Sequence, residues 1–184
     1  MISLARQDLE RFAPRPAGKA GKVWDDYIGA STSPAGRQLL DRFGITTPLR
    51  WVYAVATWHV ECGGFSLLRE NLNYTSDRIL VVFKDKGISL QELQALDYRE
   101  AGRLAGNPYA LAERVYGLGC PRMARMLGNT MPGDGYKFRG VGLEQLTGRA
   151  NQEHAAREIG CAVENLEDPL NSLHGALIEW QQKG

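Results

Sequence analysis

Cysteine is scarce and without pattern in this chain. Cys62, Cys120 and Cys161 are odd in number and far apart, which excludes the even, closely spaced framework of a disulfide scaffold and the paired spacing of a zinc site. Histidine is equally sparse. His59-Val60-Glu61 has no second histidine at helical spacing and so is not a metallopeptidase helix. Long apolar runs are missing as well: clusters such as Ile79 to Phe83 are far too short to cross a bilayer. At the N-terminus, Met1-Ile2-Ser3-Leu4-Ala5-Arg6-Gln7-Asp8 carries charges where a secretory signal needs an apolar block. Nor is there an excess of one charge. With 22 Lys and Arg against 21 Asp and Glu, the net charge is +1, and both signs are mixed along the chain. That leaves no basic field for nucleic acid and no polybasic membrane anchor. The expected product is made in the cytoplasm, has no stable membrane anchor, and needs no metal or organic cofactor.

What is present is enough apolar material, 43% of 184 residues, to bury one substantial core that a cleft divides into two lobes. The central stretch is a helical run. Thr47 is placed to cap it, Pro48 suits its first position, and Trp51, Val52, Val55, Trp58 and Cys62 recur at helical spacing before Gly63-Gly64 stops it. Glu61 falls in the last turn of this helix. There the negative end of the dipole and apolar neighbours both disfavour a carboxylate anion, an environment suited to a general acid. Nine residues on, Glu70 lies in the polar segment Arg69-Glu70-Asn71-Leu72-Asn73-Tyr74-Thr75, with Arg69 and Arg78 available to keep it ionised. A protonated and a charged carboxyl facing one another is the equipment of a glycosidase. Spacing alone fits better a salt-bridged helix end at Glu61 and a solvated loop charge at Glu70. Cys62, beside Glu61, reads as a small core-facing thiol rather than a nucleophile.

Elsewhere the periodicity predicts helices over residues 2–12, 22–30 and 36–43, with a Pro/Gly/Ala-rich link from Ala13 to Gly21. Ser76 is placed to cap a helix through Phe83. Ser89-Leu90-Gln91-Glu92 and Asp97-Tyr98-Arg99-Glu100 read as capping boxes, and Asn107-Pro108 opens a helix to Tyr116. Gly117 to Gly142 breaks the periodicity apart from a turn at Arg122 to Leu127. It has neither Walker nor dinucleotide spacing, and its glycines suit close backbone approach to a ligand. Asp134, in Pro-Gly-Asp-Gly, is the alternative second carboxylate but reads first as a turn residue. Helices are expected from Gly148 to Ile159 and from Asp168-Pro169 onward, the latter with Trp180 in an apolar stripe. His154 and His174 read as surface or satisfied helix residues.

Three motifs stand in order along the chain: Glu61-Cys62-Gly63-Gly64-Phe65, then Glu70-Asn71-Leu72-Asn73-Tyr74-Thr75, then Gly128 to Asn151 with its Arg139-Gly140-Val141-Gly142-Leu143-Glu144-Gln145 core. Together they resemble glycoside hydrolase family 19, and within it the chitinase-like endolysins of phages and prophages. The resemblance covers residues 44–184, leaving 1–34 as an N-terminal helical extension of a single catalytic domain. It implies a mainly α, lysozyme-like fold of two helical lobes around a central cleft, with at most a short hairpin after Gly64. It makes Glu61 the proton donor and Glu70 the general base of an inverting hydrolysis, which requires carboxyls about 6.5–9.5 Å apart. It also makes Tyr74, Thr75, Tyr136, Arg139, Gln145, Thr147 and Asn151 substrate or water contacts.

The implied substrate is peptidoglycan, with chitin as the alternative. A holin would release the enzyme, a monomer, to the cell wall. The chain departs from the family pattern in carrying Val60 where a histidine usually precedes the acid, Val141 in place of a cation, and Glu144 as an added anion. It also stops before the family's Asn-Gly-Gly segment. These departures leave open a glycan-binding module without chemistry.

Overall fold

The computed structural model describes residues 6–66, 68–84 and 104–183. The fold is mainly helical, as expected, and no named strand occurs among the described residues. The chain separates into two compact units. The first comprises Met1–Glu70, Gly140–Leu146 and Gln152–Gly184, the second Asn71–Arg139 and Thr147–Asn151.

The first unit carries α1 (Arg6–Glu10), α2 (Gly18–Thr32), α3 (Pro34–Arg42) and α4 (Pro48–Glu61), and near its C-terminal end a 3₁₀ turn (Val163–Glu167) and α10 (Pro169–Lys183). α2 begins four residues earlier than the periodicity predicts, so the link after Ala13 is shorter than the run of Pro, Gly and Ala indicates. The reason is a tertiary contact: Trp24 is buried, and its indole N–H donates to the carbonyl of Ala13 at 2.8 Å, drawing the chain back onto the helix. α4 forms as its sequence dictates. Thr47 accepts from the Arg50 N–H, Pro48 occupies the first position, and Trp51, Ala54, Val55 and Trp58 are buried. Apart from Ala54, each of these side chains contributes at least about 1.5–3 kcal/mol. They join Trp24, Tyr27, Ile28, Leu173 and Leu177 in one core, with Trp180 packed at its margin.

The second unit holds α5 (Ser76–Val82), α6 (Pro108–Val115), α7 (Pro121–Leu127) and α8 (Asp134–Lys137). Its own core is Leu72, Ile79, Phe83, Leu104, Leu111, Ala112, Val115 and Tyr116. Thr75, not Ser76, caps α5, accepting from the Arg78 N–H. The expected turn at Pro132–Gly135 is instead a short helix opened by Gly133 in the left-handed region, φ 90°. The expected helices at Ser89 and Asp97 lie outside the described residues. α9 (Arg149–Ile159) draws its first residues from the second unit and the rest from the first.

Two glycines give opposite predictions. Gly148 has φ +98°, and a Cβ there would come within 2.6 Å of the Leu127 carbonyl oxygen. Gly148→Ala is expected to destabilise by about 2–4 kcal/mol. Gly29 lies exposed inside α2 with nothing within 4 Å of its would-be Cβ. Gly29→Ala is expected to stabilise by about 0.5–1 kcal/mol. Thermal unfolding of the two variants checks both signs.

Candidate active site

The end of α4 is shaped by its glycines. Gly63 and Gly64 adopt φ 57° and 71°, the Gly64 N–H returns to the His59 carbonyl at 2.7 Å, and Phe65 follows at φ 59° with its ring buried. His59 packs edge-on against Phe65, centroids 5.8 Å apart. It thus serves this turn from a position one residue before the family's usual histidine. Glu61, at the helix end, is exposed, so the burial expected around it is not found: the apolar face of α4 is carried by Trp58 and Cys62 instead. Cys62 is the core thiol expected. Its Sγ donates to the Trp58 carbonyl at 2.8 Å, and burial pushes the thiol up to about 12, with the charges of Glu144 and Glu61 adding to the rise.

Glu70 is positioned by a long-range backbone pairing. Its N–H donates to the Gly140 carbonyl and the Gly142 N–H donates to the Leu68 carbonyl, each at 2.8 Å, while Arg69 bridges Val141 in antiparallel register. Val141 then bridges Leu146, closing a tight turn. At most a short hairpin is expected after Gly64; the pairing found here is long-range. The Gly140 N–H also reaches Glu70 Oε2 at 3.4 Å. A Cβ at Gly140 would lie 2.7 Å from Gln145 Oε1 and 3.3 Å from Glu70 Cβ. Glu70 and Gln145 therefore converge on a residue that has no side chain. Gln145 itself adopts φ 49° and donates from Nε2 to the Gly142 carbonyl at 2.9 Å.

Arg69 does not serve Glu70 as expected: its Nε lies 3.2 Å from Glu167 Oε2, forming a partly exposed ion pair. Val141 is fully buried with Leu146, Ala155, Ala156 and Leu166. An apolar side chain is what this position requires, where the family pattern has a cation.

The remaining candidates lie in the second unit. Arg139 stacks on Tyr136, its guanidinium carbon 4.0 Å from the ring centroid, and donates to the Tyr136 carbonyl at 2.7 Å. Asn151 Nδ2 donates to the Thr147 carbonyl at 2.8 Å, so these two form a local pair at the start of α9. Tyr74 packs edge-on against Phe83 and belongs to the unit's core margin. Thr75 uses its hydroxyl oxygen as the α5 cap.

Asp134, the alternative second carboxylate, has the surroundings of a scaffold residue. It is buried, ion-paired with Arg149, and accepts the N–H groups of Thr130 and Met131, each at 2.9 Å. Spacing gave no sign of two supporting residues. Glu113 accepts the N–H groups of Gly133 and Tyr136, each at 3.0 Å, and Asn129 accepts the Arg149 N–H at 2.9 Å to cap α9. Only the glycine-rich composition of Gly117 to Gly142 pointed to an irregular loop needing such supports. Among the described residues no group of three or more His, Cys, Asp or Glu is gathered to hold a metal, and no helix is long and apolar enough to cross a membrane.

No family model matches the chain. Over 136 residues, 73% of its length, it is 29% identical to a Haemophilus influenzae protein named as a glycosyl hydrolase family 19 domain-containing protein. The similarity supports glycosyl hydrolase family 19. The match spans 60% of that relative's own length.

The Asp134 environment makes a test of the second unit's scaffold. Burial alone would raise this carboxyl's pKa, but the hydrogen bond from Arg149 and the two backbone N–H donors outweigh it and hold the group below the usual carboxylate range. Its ionised form therefore contributes stability above the unfolded-state value, about pH 4, which is lost as pH falls through the lower folded value. Asp134→Asn is expected to cost about 2 kcal/mol at neutral pH. The gap in thermal midpoint between variant and wild type should narrow as pH is lowered below about 4, read by circular dichroism.

Proposed function

We propose that the chain is a glycoside hydrolase that cuts the glycan strand of peptidoglycan by inverting acid/base hydrolysis. Glu61 protonates the glycosidic oxygen, and Glu70 takes a proton from the water that attacks the opposite face of the sugar. Gln145 and Thr147 orient substrate and water, and Tyr136, Arg139 and Asn151 contact the sugars. The observation that carries this reading is the convergence of Glu70 and Gln145 on Gly140. Two motifs about seventy residues apart in sequence meet there at a point with no side chain, leaving backbone and two polar side chains beside one another. An N–H within reach of a carboxylate held by its own backbone pairing is a preorganised arrangement, not a solvated loop charge. The likeness to the family 19 domain-containing protein supports glycoside hydrolysis in general.

Peptidoglycan is preferred over chitin because the resemblance runs to endolysins. On this reading the enzyme acts as a monomer, remains cytoplasmic until a holin releases it, and works without a cofactor. Val141 does not favour the binding-module alternative, since its burial gives it a packing role.

Turnover on purified murein sacculi and on colloidal chitin tests the substrate: release from sacculi is expected, and release from chitin alone contradicts the peptidoglycan assignment. Glu61→Gln and Glu70→Gln should each lower turnover by about 10²–10⁴-fold with the thermal transition nearly unmoved. Wild type and Glu61→Gln equal in rate would remove Glu61 from the chemistry. Sacculi bound by wild type but never cut would establish a binding module instead.

A further inference from the structure

One side chain of the second unit stands outside every motif above. α6 buries Leu111, Ala112 and Val115, which leaves Tyr109, just inside its N-terminal proline, directed outward and 52% exposed. Exposed aromatics are common singly and need no explanation by themselves. Tyr109 differs in how it is held. Its ring lies against that of Tyr136, centroids 5.6 Å apart and planes at 54°, and the Arg139 guanidinium stacks on Tyr136 in turn. Its hydroxyl lies beside Gly133, where a Cβ would come within 3.6 Å of it. The backbone underneath is fixed by Glu113, which accepts both the Gly133 and the Tyr136 N–H. An exposed ring braced in this way loses little rotamer freedom when something covers it, the condition under which an aromatic face adds most to affinity.

We propose that Tyr109 is a carbohydrate-stacking residue, forming with Tyr136 and Arg139 a platform on the second unit for a chain of N-acetylated amino sugars. A pyranose ring presents a patch of C–H groups on one face, apolar and slightly positive, that pairs with the negative face of an aromatic ring. The Tyr109 hydroxyl, at the edge of that face, is available to the sugar's hydroxyl and acetamido groups. The assignment rests on the glycan reading given above and adds to it a residue that neither the motifs nor the family resemblance supplied.

Calorimetric titration with the trimer of N-acetylglucosamine tests it, in a Glu61→Gln background so that the ligand is not consumed. Tyr109→Ala should weaken binding about tenfold, while Tyr109→Phe and Tyr109→Trp stay within about threefold of the parent and all three keep its thermal transition. Equal binding by the alanine variant overturns the proposal, as does loss in the phenylalanine variant as large as in alanine, or absence of binding by the parent. The hydrolase reading fails separately: wild type that leaves both glycans intact while the Tyr109 series keeps this ranking removes the chemistry and leaves the platform standing.

Discussion

The backbone pairing of Leu68–Glu70 with Gly140–Gly142 is the constraint on which the proposed chemistry depends. A glutamate in a polar loop is ordinarily free to sample many rotamers and positions. Here its N–H is tied to Gly140 and its neighbours are in register with Gly142 and Val141. Closing so long a stretch of chain adds little entropy cost over closing a short one, about 0.6 kcal/mol per doubling. A few hydrogen bonds and one buried valine are therefore enough to hold it. Val141, wholly buried, contributes about 1.5–3 kcal/mol, more than the partly exposed Arg69–Glu167 pair beside it, which is worth at most about 1 kcal/mol.

The same logic sets what each side chain is free to do. Side chains that build the scaffold are saturated: Asp134 by Arg149 and two N–H groups, Glu113 by two N–H groups, Asn129 by the α9 N-terminus and the Tyr116 carbonyl. Glu61 and Tyr109 are exposed. Asp134 is buried and held by Arg149 and two backbone N–H groups, whereas Glu70 is half-buried and meets Gln145 at Gly140; this difference is the physical basis for proposing Glu70 rather than Asp134 as the second carboxylate.

The helices were legible in the residues wherever a cap and an apolar stripe agreed. α4, with Thr47, Pro48 and its buried tryptophans, begins and ends where those signals put it. The start of α2 was missed because a single tertiary hydrogen bond, Trp24 to Ala13, outweighs the helix-breaking composition of the link. The site was legible as motifs but not as geometry. That Glu70 pairs with Gly140 is a non-local fact with no local signature, and the exposure of Glu61 follows from which face of α4 the core takes. The environment of Tyr109 depends on Tyr136, Gly133 and Glu113, which sequence spacing does not bring together.

Gly140→Ala probes the pairing most directly. Its backbone lies outside the left-handed region, so alanine is conformationally tolerated, yet the new methyl would press on Gln145 and Glu70. The account predicts that kcat on peptidoglycan falls at least about tenfold, the scale expected when a catalytic group is displaced by a fraction of an ångström, while the thermal midpoint stays within a few degrees. A variant as active as wild type would mean that the convergence of Glu70 and Gln145 on Gly140 has no part in catalysis.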